Sequence, residues 1–498
     1  MSKFYITTPL YYVNDEPHIG HAYTTILADV ISRIKRIQNK DVFFLTGTDE
    51  HGQKVQEAAN KRNVSPKEHV DEYVERFQKT WEKLDISHDH FIRTTDKQHT
   101  NRVLEILSSL YKKGDIYFDE YEGLYSVSEE RFITEKEKEE GNFREIKKIK
   151  EKNYFFRMSK YQENLINHIK NNENFILPHS RRNEILGFLK KDLNDLCISR
   201  PKSRLSWGIE MPFDSDYVTY VWFDALINYI SAIGYNKDKE KFDHYWPADF
   251  HLMAKDILTT HCVYWPTMLM ACNIKLPTTI FAHGWWLMND TKMSKSIGNV
   301  VKPLDLVDEY GSDALRYYLM RNMVLGQDAS FTLDSFIKRY NADLANDYGN
   351  LINRIFILIN KNFNNKIPIK GENDLIDNKF IKDIIKYQQL AIKNYDLMKI
   401  HDGIESSISI FRLTNKFLED KAPWKTIKSE KDIASTTIYL SAEALRIGTI
   451  LLYPIIPEKA TIVLNAMKCS PKDDTSFGKL KESITIDIIK NIFPRIVD

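Results

Sequence analysis

Phe4-Tyr5-Ile6-Thr7-Thr8 and Asp41-Val42-Phe43-Phe44-Leu45 are two short β-rich runs with a helical stripe between them. The stripe is Tyr23, Ile26, Leu27, Val30 and Ile34, at the spacing of one helix face. Asn14 or Asp15 can cap that helix, and Pro17 suits its first turn. Strand, helix, strand reads as a βαβ unit, and such units build parallel sheets. Ligands of these sheets bind beyond the C-terminal ends of the strands. Residues 9–21 and 46–52 occupy those places.

The chain has 498 residues, enough for about three domains. Lys plus Arg number 70 against 69 Asp plus Glu, a net charge of +1. That balance excludes a globally basic nucleic-acid coat, so any RNA contact must be local. With 43% hydrophobic residues, intrinsic disorder is excluded too. Four cysteines, none in a C-x-x-C pair, give neither a disulfide framework nor a cysteine zinc site. No leader pattern and no long apolar run is visible, so a cytoplasmic protein without membrane contact is expected.

Residues 116–217 read as an insertion that splits the sheet domain into 1–115 and 218–285. Within it, residues 135–152 hold 13 charges of mixed sign. An RNA-contacting arm and a solvated face both fit, and mixed signs favour the second. Beyond about residue 340, stripes of helical period dominate: Ile404, Ile408, Phe411 and Leu418, then Leu440, Ala444, Ile447 and Leu451. Residues 341–498 therefore read as a helical bundle, with 286–340 as a connecting region. The fold class is α/β, a Rossmann-like parallel sheet domain followed by an all-α bundle.

Two constellations carry chemistry. Pro17-His18-Ile19-Gly20-His21 lies between a strand end and a helix start, where free N–H groups and the helix dipole attract phosphate. Its imidazoles can donate to the oxygens of a triphosphate, and Gly20 admits a flat ring against the backbone. Lys292-Met293-Ser294-Lys295-Ser296 offers two point charges and two hydroxyls, an anion clamp suited to a departing pyrophosphate. Either alone is a weak signal, since basic loops are usually just solvated. In this order, about 270 residues apart, the pair resembles the class I aminoacyl-tRNA synthetases.

Further stretches narrow the resemblance to methionyl-tRNA synthetases across almost the whole chain. They are Thr8-Pro9-Leu10-Tyr11-Tyr12-Val13-Asn14, Gly47-Thr48-Asp49-Glu50-His51-Gly52, Tyr220-Val221-Trp222-Phe223-Asp224-Ala225, Lys255-Asp256-Ile257, His283-Gly284 and Ala422-Pro423-Trp424. The resemblance implies a methionine pocket of Leu10, Tyr12, Trp222, Ala225, Tyr229, Ile257, His261, Tyr264 and Trp265, with Asp49 holding the α-ammonium. A thioether favours aromatic edges, and Tyr229 and His261 could each offer the sulfur a weak hydrogen bond. Without the resemblance these aromatics would read as core and Asp49 as a helix N-cap.

For ATP, the resemblance implies His18, Gly20, His21, Asp256, Lys292, Ser294 and Lys295, with His18, His21, Lys292 and Lys295 catalytic and Mg2+ accompanying ATP. Asp256 looks like the ribose acid, with Ala254 where the family usually has glycine. Asn350, Arg354 and Trp424 look like the anticodon readers, through stacking and base-edge contacts. The implied partners are L-methionine and tRNA(Met), initiator and elongator.

Many relatives carry a zinc knuckle after Gly-Leu-Tyr. Here Ser126 and Glu129 stand where thiolates would be, so no structural zinc is expected, with local packing and charge pairs in its place. The chain ends soon after the bundle, without the module that dimerises some relatives, so a monomer is expected. The alternatives are a class I synthetase for another aliphatic amino acid, a nucleotidylyltransferase sharing the histidine motif, and a catalytically dead RNA-binding paralogue. About 100 inserted residues are small for an editing domain, the helical third is superfluous to a nucleotidylyltransferase, and both signature loops are intact.

Overall fold

The computed structural model describes residues 2–126, 131–133, 138, 146–288, 291–292, 301–489 and 491–497. They form two compact units. The first comprises residues 1–17, 40–79 and 87–283; the second comprises 18–39, 80–86 and 284–498.

The first unit is organised by a parallel sheet. Its order is His90–Arg93, Asp41–Asp49, Lys3–Thr7, Phe250–Ala254, Thr279–His283 and Ile176–Leu177. Strand Asp41–Asp49 is buried over residues 42–49, as a strand covered on both faces must be. Lys3–Thr7 pairs on one side with Asp41–Asp49 and on the other with Phe250–Ala254, a segment some 240 residues later. Strand order reverses there, and in such sheets the crevice beyond that point is the ligand site. Tyr11–Tyr12 extends the sheet, with Tyr12 opposite Asp49.

The segment read as an insertion contributes a hairpin of Ile116–Ser126 and Ile146–Phe156, plus the edge strand Ile176–Leu177. Residues 146–152 of the charged run lie on that hairpin. Lys148 pairs with Glu122 at 2.9 Å and Lys150 with Glu120 at 3.4 Å, on exposed side chains. For these residues the solvated-face reading holds. Ser126 is buried; Glu129 lies outside the described residues.

The second unit is mainly helical, with a small three-stranded sheet. Helices Asn350–Phe363, Leu375–Asp396, Ile400–Lys421 and Lys431–Leu452 form its body. The stripes Ile404, Ile408, Phe411, Leu418 and Leu440, Ala444, Ile447, Leu451 are all buried, as read.

Helix Ile19–Ile37 belongs to this unit and differs from its reading twice. It is capped by His18, not by Asn14 or Asp15, because imidazole nitrogens supply the acceptors described below. It is also buried on more than one face: Asp29 is inaccessible and bridges Arg33 Nε (2.8 Å) and Arg316 Nη2 (2.6 Å). Arg316, itself fully buried, also donates to the carbonyls of Leu84, Pro454 and Ile455. Removing one member of such a cluster leaves a buried charge uncompensated, which costs about 3–5 kcal/mol.

Candidate functional site

His18 and His21 cap their helix reciprocally. His18 Nδ1 accepts from the Gly20 amide at 3.1 Å, and His21 Nδ1 accepts from the His18 amide at 3.3 Å. The rings stack with centroids 3.7 Å apart. An Nδ1 that accepts leaves the proton of a neutral imidazole on Nε2, so each ring presents N–H at its outer nitrogen. The flat ring that Gly20 admits is that of His18: a Cβ at position 20 would stand 2.9 Å from His18 Cε1. The expectation of free amides at this terminus is corrected. The His18 and Gly20 amides serve the cap, and the Ile19 amide donates to Val301 O at 3.1 Å. An anion here meets imidazole in place of those three amides.

That last bond ties the helix to the lysine segment. Thr291–Lys292 pairs antiparallel with Trp286–Met288, which pairs in parallel with Ala329–Phe331. Residues 293–300 lie outside the described residues, and with them Ser294 and Lys295. Both flanks of the segment reach the histidine helix. Trp286 meets the Tyr23 ring at 6.0 Å, and Val301 accepts from Ile19.

In the sheet unit, Asp49 ends strand Asp41–Asp49 and is 1% exposed. It is not an N-cap; Gly52, at φ +103°, caps the next helix with a conformation that suits glycine. Helix Val221–Leu226 carries Trp222 and Ala225, and Asn228–Ser231 carries Tyr229. His261 lies in a π-helical turn, Thr260–Tyr264, a rare form frequent at functional sites. Tyr229, His261, Trp265 and Ala225 are buried, whereas Leu10, Tyr12, Trp222, Ile257 and Tyr264 are half-buried. Tyr12 meets Trp222 edge-on at 6.1 Å.

The polar atoms of this aromatic cluster are ordered. His261 Nδ1 lies 3.0 Å from Ile257 O, so it carries the proton, and Nε2 accepts from Tyr229 Oη at 2.7 Å. The expectation that Tyr229 and His261 each donate to a thioether is corrected, since both protons are already engaged. Burial pushes the His261 imidazole down to about 4 and the Tyr229 phenol well above its usual range. Behind them, His251 contacts Thr7 Oγ1 at 2.7 Å and accepts from Trp265 Nε1 at 3.3 Å. Sequence reasoning missed His251, because a single histidine in an apolar strand reads as core. Asp256 is exposed on the turn Lys255–Ile257. Ala254 before it has φ −79°, so alanine in place of glycine brings no strain.

In the helical unit, Arg354 lies over the Trp424 ring, with Cζ 5.4 Å from the centroid. Arg354 donates to Asn415 Oδ1 at 3.0 Å, and Asn415 donates to Asp347 O. Asn350 is exposed at the start of the helix that carries Arg354. Asn415 had no signal in sequence, since it lies 61 positions from the residue it holds.

An imidazole cap tied to the exit of the lysine segment, in a chain whose parallel sheet reverses order at its first strand, fits the class I aminoacyl-tRNA synthetases, and the family models place the chain there. The family model "tRNA synthetases class I (M)" matches residues 4–141 and 140–356, and "Anticodon binding domain of methionyl tRNA ligase" matches 367–498. The chain is 44% identical to the methionine–tRNA ligase of Listeria innocua, over 99% of this chain and 78% of that one. Identity to the Clostridium tetani enzyme is also 44%, with the same shares covered. A solved structure of Mycobacterium tuberculosis methionyl-tRNA synthetase in complex with methionyl-adenylate superposes with a TM-score of 0.95 at 38% identity, covering 99% of this chain and all of that one. This chain belongs to the methionine–tRNA ligase family, ATP-dependent enzymes that join methionine to tRNA.

Proposed function

We propose that the family reaction is carried by the residues named above. Methionine binds with its side chain among Leu10, Tyr12, Trp222, Ala225, Tyr229, Ile257, His261, Tyr264 and Trp265, and its ammonium on Asp49. Its carboxylate attacks the α-phosphorus of ATP, forming methionyl-adenylate and releasing pyrophosphate. His18 and His21 donate through Nε2–H to phosphate oxygens as charge builds, with Gly20 keeping their cap compact. Lys292 and Lys295 neutralise the departing pyrophosphate, Ser294 donates a hydrogen bond to ATP, and Asp256 holds the ribose. Mg2+ arrives on the ATP phosphates and offsets their charge. The 2′-hydroxyl of the 3′-terminal adenosine of tRNA(Met), initiator or elongator, then takes the methionyl group. Asn350, Arg354 and Trp424 read the anticodon by stacking and base-edge contacts. No protein nucleophile is needed; catalysis is positioning and charge stabilisation.

The observation that carries this reading is the bond from the Ile19 amide to Val301 O, because it brings the exit of the lysine segment to the start of the histidine helix. The test is ATP–pyrophosphate exchange with a panel of amino acids. Methionine supports exchange and leucine and valine do not; exchange with leucine or valine in its place refutes the assignment. Homocysteine is the expected intruder, since one methylene is worth only about 1–3 kcal/mol in an apolar pocket. The same reading takes the enzyme as a cytoplasmic monomer without structural zinc. Stoichiometric zinc by plasma emission spectroscopy contradicts the last point.

A further inference from the structure

Asp224 has no role in the account so far, yet it sits between residues that do. It is 1% exposed on helix Val221–Leu226, between Trp222 and Ala225. Both of its oxygens are engaged by histidines from distant segments. Oδ2 lies 2.7 Å from His51 Nδ1, and Oδ1 lies 2.8 Å from His99 Nε2. A carboxylate only accepts, so the proton of His51 is on Nδ1 and that of His99 on Nε2. His99 Nδ1 is then an acceptor, and Ser231 Oγ stands 2.9 Å from it. Burial pushes the Asp224 carboxyl up, but the two imidazoles outweigh it and hold the group below its usual range.

His51 is two residues from Asp49, in the turn that follows strand Asp41–Asp49. The residue between them, Glu50, is anchored independently. Arg93 grips its carboxylate at 2.7 and 2.9 Å, Thr95 Oγ1 donates to it at 2.6 Å, and Trp207 Nε1 donates to its carbonyl. Two routes therefore join the Asp49 segment to the Trp222 helix. One runs from Asp49 across the ladder to Tyr12 and through its ring to Trp222. The other runs from His51 to Asp224.

We infer that Asp224 is a positioning residue that, through His51, fixes the distance between the ammonium-binding carboxylate Asp49 and the side-chain wall formed by Trp222 and Ala225. The inference rests on the assignment of those three residues to methionine. Aromatic contact alone tolerates sliding; a charge-assisted hydrogen bond does not. Fixing that distance sets the length of amino acid the site accepts.

The test is the kinetics of methionine-dependent ATP–pyrophosphate exchange for His51→Leu, His51→Asn, Asp224→Asn and Asp49→Asn, with a thermal melt of each. An asparagine amide at position 51 places an N–H roughly where Nδ1–H was, so it restores the bond that leucine removes. The expected result is a KM for methionine raised roughly tenfold or more in His51→Leu, a KM for ATP changed by less than about twofold, and recovery of most of the loss in His51→Asn. Should His51→Leu not fold, Asp224→Asn, which keeps the shape and removes one acceptor, carries the same expectation. General packing damage would move both KM values and give no advantage to asparagine over leucine, and that pattern overturns the inference. If Asp49→Asn raises the KM for methionine while His51→Leu and Asp224→Asn do not, the positioning role alone falls. If Asp49→Asn leaves it unchanged, the methionine assignment falls and takes this inference with it.

Discussion

Trp265 in the sheet unit is 1% exposed, and Trp424 in the helical unit is 43% exposed. Both stand beside basic groups: Trp265 donates to His251, and Arg354 lies over the Trp424 ring. The sheet cluster satisfies its polar atoms internally, through the Tyr229–His261–Ile257 chain. The helical face leaves an aromatic surface in water, with Arg354 steadied from behind by Asn415. Under the proposed assignment, the contrast matches the ligand each would take. An apolar thioether gains from a dry, preformed wall; unstacked bases gain from an open π-face with charged edges. Each region also adjoins a π-helical turn, Thr260–Tyr264 in one and Tyr340–Gly349 in the other, which re-aims side chains that a regular helix would not bring into line.

The contrast can be broken from either side. The largest effect belongs to neither cluster: Lys295→Ala should lower exchange turnover by roughly 10²–10³ with the KM for methionine little changed. Loss of methionine binding without loss of turnover would place this lysine in the wrong step.

Next comes pH. His261 titrates near 4 in the folded protein, against about 6.5 for an unperturbed histidine. A depressed folded value means the unfolded chain takes up the proton first as pH falls. The stabilisation is therefore complete above about pH 6.5 and is lost progressively toward pH 4, amounting to about 3 kcal/mol. Urea unfolding at a series of pH values should show this slope in the wild type and a shallower one in His261→Gln; equal slopes would mean that the imidazole is not held dry.

Trp424→Ala should leave exchange intact and weaken aminoacylation by roughly 1–3 kcal/mol through the KM for tRNA. Equal damage to both steps would make Trp424 a structural residue. The smallest effect concerns Ala422, which holds φ +39° just before Pro423 and sets the exit of helix Ile400–Lys421. Ala422→Gly should stabilise by about 1 kcal/mol in a denaturant melt, since a Cβ is disfavoured in that region; a loss of stability would show that the methyl group packs.

Much of this was legible in the sequence where the signal is periodic or local. The strand–helix–strand opening and the two bundle stripes came through. The cap by His18 instead of Asn14 or Asp15 is local, and was missed because histidine is not a customary N-cap. The burial of Asp29 against Arg316 and the joining of His51 to Asp224 depend instead on which distant side chain supplies a partner. A hydrogen-bond acceptor 173 positions away leaves no local pattern. For Tyr229 and His261, singled out through the family resemblance, the hydrogen-bond direction was misread, because which atom holds the proton is decided by a backbone carbonyl that sequence does not display.

The central claim is that the histidine cap and the lysine segment serve one nucleotide. The most direct measurement is a crystal structure with methionine and a non-hydrolysable ATP analogue. The account predicts His21 Nε2 and Lys295 Nζ both within about 3.2 Å of phosphate oxygens of the same molecule. A triphosphate bound with Lys295 turned away, or held by groups that include neither imidazole, would contradict it.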